Sequence, residues 1–234
     1  MMVTKGKLCV RVARTPQEIA AAMALRFARF GVAADRFDEG TVLVTIGPEN
    51  GPAHCSFRLT LCQSMADVLA SYSAQFYDLA QVGRLTPSVE LGRFCMIEGA
   101  SADVLRLAFA AMTRVVDAHK ARLLFGCASF QGAEVAAHLP ALHLLQGHIA
   151  PHHIGKKSPH AVAYDGLSGQ VTADAMRHVP PLLRSYLALG GWVSDHAVQD
   201  FDLDTLHVFT GVEIDQIPSA RAANLRALAT GINW

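Results

Sequence analysis

Glu90 and Arg93 stand three residues apart across Leu91-Gly92, in the otherwise apolar segment Ser88–Met96. An acid and a guanidinium placed inside a strand each need a specific partner, because an unpaired buried charge is costly. On a regular strand the two side chains point to opposite faces. A bulge at Gly92 turns both to one face and frees a backbone N–H. So arranged, the pair can do acid–base work or bind substrate; the alternative is an ion pair that only fixes the strand. Arg58 lies among alternating apolar residues (Phe57, Leu59, Leu61), suited to holding a carboxylate or bracing Glu90, or else exposed on a sheet edge. Asp35 and Asp38 form a second carboxylate pair that could recognise an amine; solvated aspartates in a helix-to-strand turn are the alternative. Gly99-Ala100-Ser101-Ala102 places small residues at a helix start, where backbone amides can approach a phosphate, although Glu98 opposes an anion there. Cys127, within the apolar run Phe125–Phe130, reads as a small buried core residue rather than a nucleophile. His138, His143 and His148 are five residues apart, off a common helical face, so no metal site is expected.

The elements that must position these residues follow from local signals. Lys7–Val12 reads as a short strand. Thr15-Pro16-Gln17-Glu18 is a helix start with a capping box, and Gly31 stops that helix after Phe30. Thr41–Ile46 and His54–Leu61, joined by Pro48-Glu49-Asn50-Gly51-Pro52, form a hairpin. Residues 63–87 read as irregular helix and loop, and Ser88–Met96 as a strand. Ser101 caps a helix with Val104, Leu105, Ala108, Met112 and Val115 at helical spacing. Leu123–Phe130 is a buried strand, followed by a helix from Ala133 to Leu145 and a loop over His148–Lys157. A helix opens at Pro180-Pro181 and runs through Leu187, Leu206–Val212 is a late strand, and a last helix runs from Pro218 to Leu228. The order predicts an α/β (α+β) sandwich with a partly antiparallel central sheet flanked by helices. We assign one domain over 1–234, with a core at about 7–147 and a C-terminal elaboration at about 148–234.

Composition narrows the class. The 234 residues are 51% hydrophobic and 17% charged, which excludes disorder and suits either a lipid-handling enzyme or a large Ala/Leu/Val core. Val135–Gly155 is broken by prolines and histidines, so no transmembrane span is expected, and no signal peptide is visible. A cytoplasmic location follows. The five cysteines show no CxxC pair and read as reduced thiols. Lys5, Lys7, Arg11, Arg14, Arg26 and Arg29 crowd residues 1–34, whereas 195–215 holds six acids without a Lys or Arg. The formal net charge of zero argues against nucleic acid. The basic segment suits an acidic carrier protein or the anionic inner face of the cytoplasmic membrane. The acidic run favours a cationic amino acid through its field, or is simply a solvated surface.

Three longer stretches are particular: Glu90-Leu91-Gly92-Arg93-Phe94-Cys95, then Leu124–Gly132 (LFGCASFQG), then Pro180–Val193 (PPLLRSYLALGGWV). Together they resemble the ornithine N-acyltransferases that make lyso-ornithine lipid, a branch of the GNAT-like superfamily close to the acyl-homoserine-lactone synthases. Weaker matches at Leu25-Arg26-Phe27, Asp35–Asp38, Phe57–Leu59 and Gln75–Leu79 extend the resemblance from about residue 8 to 217. The resemblance implies a GNAT-like fold with a bulge in the Ser88–Met96 strand, and transfer of a (3-hydroxy)fatty acyl group from acyl carrier protein to the α-amine of ornithine. It makes Glu90 and Arg93 the catalytic candidates. Arg58, Asp35, Asp38, Phe94, Cys95 and Ser129 become substrate-binding candidates, and Gly99, Ala100 and Ser101 the phosphopantetheine-binding ones. No tightly bound cofactor is expected; the donor is the acyl-phosphopantetheine thioester, with coenzyme A as the alternative carrier. A short Phe30–Asp35 segment and Glu39-Gly40-Thr41-Val42 depart from the family pattern, leaving glutamine or glycine as alternative acceptors. An acyl-homoserine-lactone synthase is the alternative function, although both tryptophans, Trp192 and Trp234, fall late in the chain.

Overall fold

In the computed structural model, residues 3–5 and 8–232 are described. In chain order, β1 (Val3–Lys5) and β2 (Leu8–Val12) precede α1 (Pro16–Phe30), β3 (Val42–Pro48), β4 (Cys55–Cys62) and α2 (Met65–Leu69). Then come β5 (Tyr77–Asp78), β6 (Ser88–Met96), α3 (Ala102–Ala118), β7 (Leu123–Gln131), α4 (Leu139–Leu145), β8 (Gly155–Lys156) and β9 (Ala161–Ala163). The chain closes with α5 (Ala175–His178), α6 (Pro181–Ala188), β10 (Trp192–Asp200), β11 (Thr205–Glu213) and α7 (Ser219–Ala229). Packing divides these elements between two compact units, one comprising the segments up to Leu61, Val89–Ala121 and from Pro218 onward, the other Cys62–Ser88 and Arg122–Ile217.

The first unit is a sheet in the order β1-β2-β3-β4-β6, with antiparallel pairing of β1 to β2, β2 to β3 and β3 to β4. The β3–β4 hairpin sets Leu43 opposite Arg58 and Val44 opposite Phe57. Leu43–Gly47 and Cys55–Leu59 are buried at every position, as strands covered on both faces must be. Helix α1 has the expected capping box, Thr15 and Glu18 each bonding the other's backbone N–H, with Pro16 in its first turn. Gly31, at φ 70°, ends it in the left-handed conformation that glycine adopts without strain. Helix α3 packs on β2 and β3 and carries α7 beside it.

The second unit is an antiparallel sheet in the order β7-β11-β10-β9. On one face Ala128, Phe130, Leu206, Val208, Val193 and Ala197 pack against Leu142, Leu145, Leu183 and Leu187 of α4 and α6. On the other, Phe125, Phe209, Val198 and Trp192 pack against Tyr77, Leu79, Val82 and Ile154.

Several expectations need correction. The helix expected from Ala133 is a 3₁₀ turn over Val135–His138 before α4 begins at Leu139, because Pro140 has no N–H to carry a helix through. The loop expected over His148–Lys157 contains the short strand β8, paired with β5. Strand β10 is a finding of the structure, since Asp195 onward reads in sequence as a solvated acidic run. Four of those acids do structural work: Asp195 bonds the buried His196 Nδ1, Asp200 accepts from Leu203 N–H, Asp204 from Ala133 N–H, and Glu213 from Trp192 and His152. Cys127 is half-buried rather than buried, its thiol reaching Ser73 Oγ at 3.5 Å.

Candidate functional site

The Asp35–Asp38 turn between α1 and β3 lies against strands β4 and β6 in the first unit, and three arginines converge on it. Arg26 projects from the core face of α1, next to the buried Ala22 and Leu25, and its side chain is fully buried. Its Nη1 donates to both carboxylate oxygens of Asp38 at 2.7 Å and to Ala33 O at 3.1 Å. Arg58, also fully buried, donates Nη1 to Asp38 Oδ1 at 3.0 Å and to Asp35 Oδ1. Arg93 completes the frame from β6, with Nε and Nη2 at 2.9 and 2.8 Å from Asp35 Oδ2. The turn locks itself: Asp35 N–H donates to Asp38 Oδ2 and Phe37 N–H to Asp35 Oδ1. The Phe37 ring lies 5.6 Å from the Arg58 guanidinium and the Phe30 ring 5.9 Å from that of Arg93, within reach of a cation–π attraction.

Two carboxylates against three guanidiniums should stay ionised. Burial alone pushes Asp35 up, but hydrogen bonding and charge from Arg58, then Arg93, outweigh it and leave the carboxyl below its ordinary value. For Asp38 burial is again the largest influence, overcome by Arg26, the Asp35 amide and Arg58. Glu90, three residues before Arg93, is 1% exposed and places a third carboxylate on the strand that carries Arg93.

Strand β6 has an unusual backbone residue one position after Gly92, the residue at which a bulge is expected. The positive φ, 53°, falls on Arg93 and not on Gly92. Such strain in a non-glycine residue persists only where its surroundings over-determine it, and the two bonds from Arg93 to Asp35 supply that constraint. Gly92 is needed for another reason. A Cβ there would sit 2.7 Å from Arg58 Nε, so only glycine leaves room for the buried guanidinium to cross β6.

The site residues expected from the sequence therefore separate. Asp35, Asp38, Arg58 and Arg93 come together. Asp35 and Asp38 are not solvated turn residues, and the cations they meet are the chain's own arginines rather than a free amine. Arg58 is not an exposed edge residue and presents no surface to a substrate; its position is that of a brace. Phe94 stacks on Phe57 at 5.7 Å. Cys95 is buried, its thiol directed to Ser56 O and its pKa pushed up to about 11 by burial, which makes it inert. Ser129 is exposed on β7, in the second unit. Gly99 has φ 69° with open space beside it, and Ser101 is the N-cap of α3 without a side-chain hydrogen bond to the helix. Arg26 is a site residue that the sequence reading leaves out. A signal for it exists, an arginine on the helix face that otherwise carries Ala22 and Leu25.

The L-ornithine N(alpha)-acyltransferase of Brucella abortus (strain 2308) is 30% identical over 251 aligned positions, covering 92% of this chain and 87% of that protein. The chain belongs to the L-ornithine N(alpha)-acyltransferase family. The namesake enzyme of Rhodobacter capsulatus is likewise 30% identical, over 85% of this chain and 87% of its own. No protein-family model matches the chain. Among solved structures, FeeM, an N-acyl amino acid synthase from uncultured soil microbes, superposes with a TM-score of 0.54 over 97% of this chain and 98% of its own at 12% identity. That likeness establishes a shared fold, of the mixed α/β class expected from the sequence. The family membership makes the protein an N-acyltransferase. No helix among the described residues is long and apolar enough to cross a membrane.

Proposed function

We propose that this N-acyltransferase moves a (3-hydroxy)fatty acyl group from the phosphopantetheine thioester of an acyl carrier protein to the α-amine of ornithine, giving lyso-ornithine lipid. The observation that carries the reading is the 30% identity to an L-ornithine N(alpha)-acyltransferase across most of both chains.

The reaction is direct aminolysis. The amine nitrogen attacks the thioester carbon, the C–N bond forms, the C–S bond breaks, and the thiol leaves with a proton while the amine loses one. An amino acid's α-ammonium titrates at or above about 8, so a proton acceptor is needed near neutral pH. Glu90 fills that role, directly or through a water. The Asp35 frame holds Arg93 and the distorted part of β6 rigid, so that a backbone N–H of the kink meets the developing oxyanion. Arg58, closed off behind Asp35 and Asp38, positions these groups and does not touch substrate. The pantetheine phosphate sits at Gly99-Ala100-Ser101, where the start of α3 keeps its amides clear of a capping side chain. One phosphate-sized cradle, with Glu98 beside it, suits a carrier protein better than coenzyme A. The exposed Arg29 of α1 and the basic residues before the helix suit an acidic carrier surface, with an anionic membrane as a further contact at the cytoplasmic face; Arg26, buried against Asp38, takes no part.

The test is incubation of the purified protein with 3-hydroxyacyl carrier protein and, separately, ornithine, glutamine, glycine and S-adenosylmethionine, with products read by mass spectrometry. An N-acylornithine is expected. Acylation of another amino acid, or an acyl-homoserine lactone from S-adenosylmethionine, would replace ornithine as the acceptor. No product with any acceptor from folded protein would remove the reading.

A further inference from the structure

The end of the Pro180–Val193 stretch plays no part in the Asp35 cluster. Gly190, Gly191 and Trp192 instead shape a cavity of about 500 Å³ within the second unit, walled also by His152, Glu213 and Gln216. That volume lies in the range of small-molecule sites.

The cavity is built from close approaches that only glycine permits. Trp192 opens β10 opposite Gly211 on β11. A Cβ on Gly211 would stand 2.5 Å from Cη2 and 2.6 Å from Cζ2 of the indole, so the ring lies across bare backbone. From there Trp192 Nε1 donates to Glu213 Oε1 at 3.1 Å. At Gly191 a Cβ would stand 2.7 Å from Tyr186 O, and Gly190 turns the chain at φ 88°. The facing wall, residues 148–152, is pinned to β10 by Ala150 N–H donating to Val193 O at 2.7 Å. From this wall His152 Nε2 reaches the same Glu213 Oε1 at 3.0 Å, its ring edge-on to Trp192 with centroids 5.8 Å apart.

Glu213 is thus held by two donors on one oxygen, and its side chain remains 22% exposed. Among the described residues no Lys or Arg lines the cavity; its basic side chains are His148 and His152. Arg122, next to Glu213's register partner Leu123, turns its guanidinium to Arg84 O instead. Asp215, exposed two residues on, adds negative potential. Ile149 and Pro151 supply an apolar rim. An anchored carboxylate beside an indole and a short apolar wall, with no Lys or Arg among the described lining residues, selects an organic cation.

We propose that this cavity is a second small-ligand site, which takes a short alkylammonium with its charge on Glu213 and its methylenes against Trp192 and Pro151. It is separate from the strand end that carries Ser129. Glu213 pairs with Leu123 at the opposite end of β7, and six residues of strand span roughly 20 Å. The proposal goes beyond acyl transfer and does not depend on it.

Trp234→Phe in the full chain leaves Trp192 the only tryptophan, and its fluorescence is followed during titration with 1,4-diaminobutane in the absence of any acyl donor. A saturable change with a Kd at or below roughly 1 mM is expected, with none from 1-butanol. Glu213→Gln, which keeps an acceptor for both donors, should weaken binding about tenfold or more; Asp215→Asn should weaken it far less. No saturable change up to roughly 10 mM, an equal response to 1-butanol, or an unaltered Kd in Glu213→Gln would overturn the proposal. The ligand comparison on the parent protein decides the matter even if a variant fails to fold. Product formation in the acceptor panel is a separate readout, so failure of one reading leaves the other standing.

Discussion

Asp38→Asn tests the Asp35–Asp38 frame most directly. Asp38 is the carboxylate partner of Arg26, and it also accepts from Arg58 and from the Asp35 amide. Arg26 is fully buried, and its Nε and Nη2 make no hydrogen bond among the described residues, so losing the charge at Asp38 leaves a cation with Ala33 O and a neutral amide. Removing one member of a buried ion pair costs about 3–5 kcal/mol. Asp38 is 19% exposed, so water recovers part of this and the lower figure, about 3 kcal/mol, applies. At about 2–4 °C per kcal/mol for a chain of this size, the melting temperature should fall by about 6–12 °C. The companion variant Arg26→Met/Asp38→Asn removes the stranded cation and should recover at least half of the loss, a coupling of about 1.5 kcal/mol or more in a double-mutant cycle. Thermal unfolding followed by circular dichroism reads both. An Asp38→Asn protein within about 1 kcal/mol of the parent, or a double variant no better than the sum of the singles, would refute the claim that Arg26 depends on this carboxylate.

Further outcomes are expected. The lowered carboxyls of Asp35 and Asp38 contribute stability that is full above the ordinary carboxylate value of about 4 and lost as pH falls through their folded values; Asp35→Asn/Asp38→Asn should flatten that limb in melts between pH 6 and pH 2. Burial, then the neighbouring His196, holds His207 down at about 4. Its contribution is therefore full above about 6.5 and lost as pH falls towards 4. Tyr77 donates to His207 O and lies 3.0 Å from His207 Nδ1, so nitrogen NMR should find a neutral ring with its proton on Nδ1 at pH 6. Gly92→Ala drives a methyl into Arg58 Nε and should cost about 1–3 kcal/mol, read as a lowered melting temperature. Glu90→Gln should keep the fold while kcat falls about 10²–10⁴-fold, and an unchanged kcat in the acceptor assay would exclude Glu90 as the proton acceptor.

Much of the fold is legible in the sequence because its signals are local. Thr15, Pro16 and Glu18 start α1 and Gly31 ends it whatever lies elsewhere in the chain, since caps answer to hydrogen bonds a few residues away. The β3–β4 hairpin follows from a β-branched strand, a proline–glycine turn and a second run with alternating apolar residues. Strand β10 is hidden for the opposite reason. Ser194, Asp195, His196, Gln199 and Asp200 look like surface, yet Ser194 Oγ bonds His196 O and Phe209 N–H, and Gln199 reaches Ala133 O. Part of their polarity is absorbed by Phe209 and Ala133, which lie 15 and 66 residues away in the chain.

The same division holds for the candidate site. Composition and spacing determined which charges are present and that Asp35, Asp38, Arg58, Glu90 and Arg93 were worth attention; family motifs joined them to acyl transfer. Only the tertiary structure decided that Arg93 grips Asp35 across 58 residues of sequence, that Arg26 joins from 12 residues before Asp38, and that the positive φ falls on Arg93. A charge finds its partner by distance in space. When strands and a turn are packed together out of water, the few ångströms between side chains, and the room left by a glycine such as Gly92, settle which pairing forms.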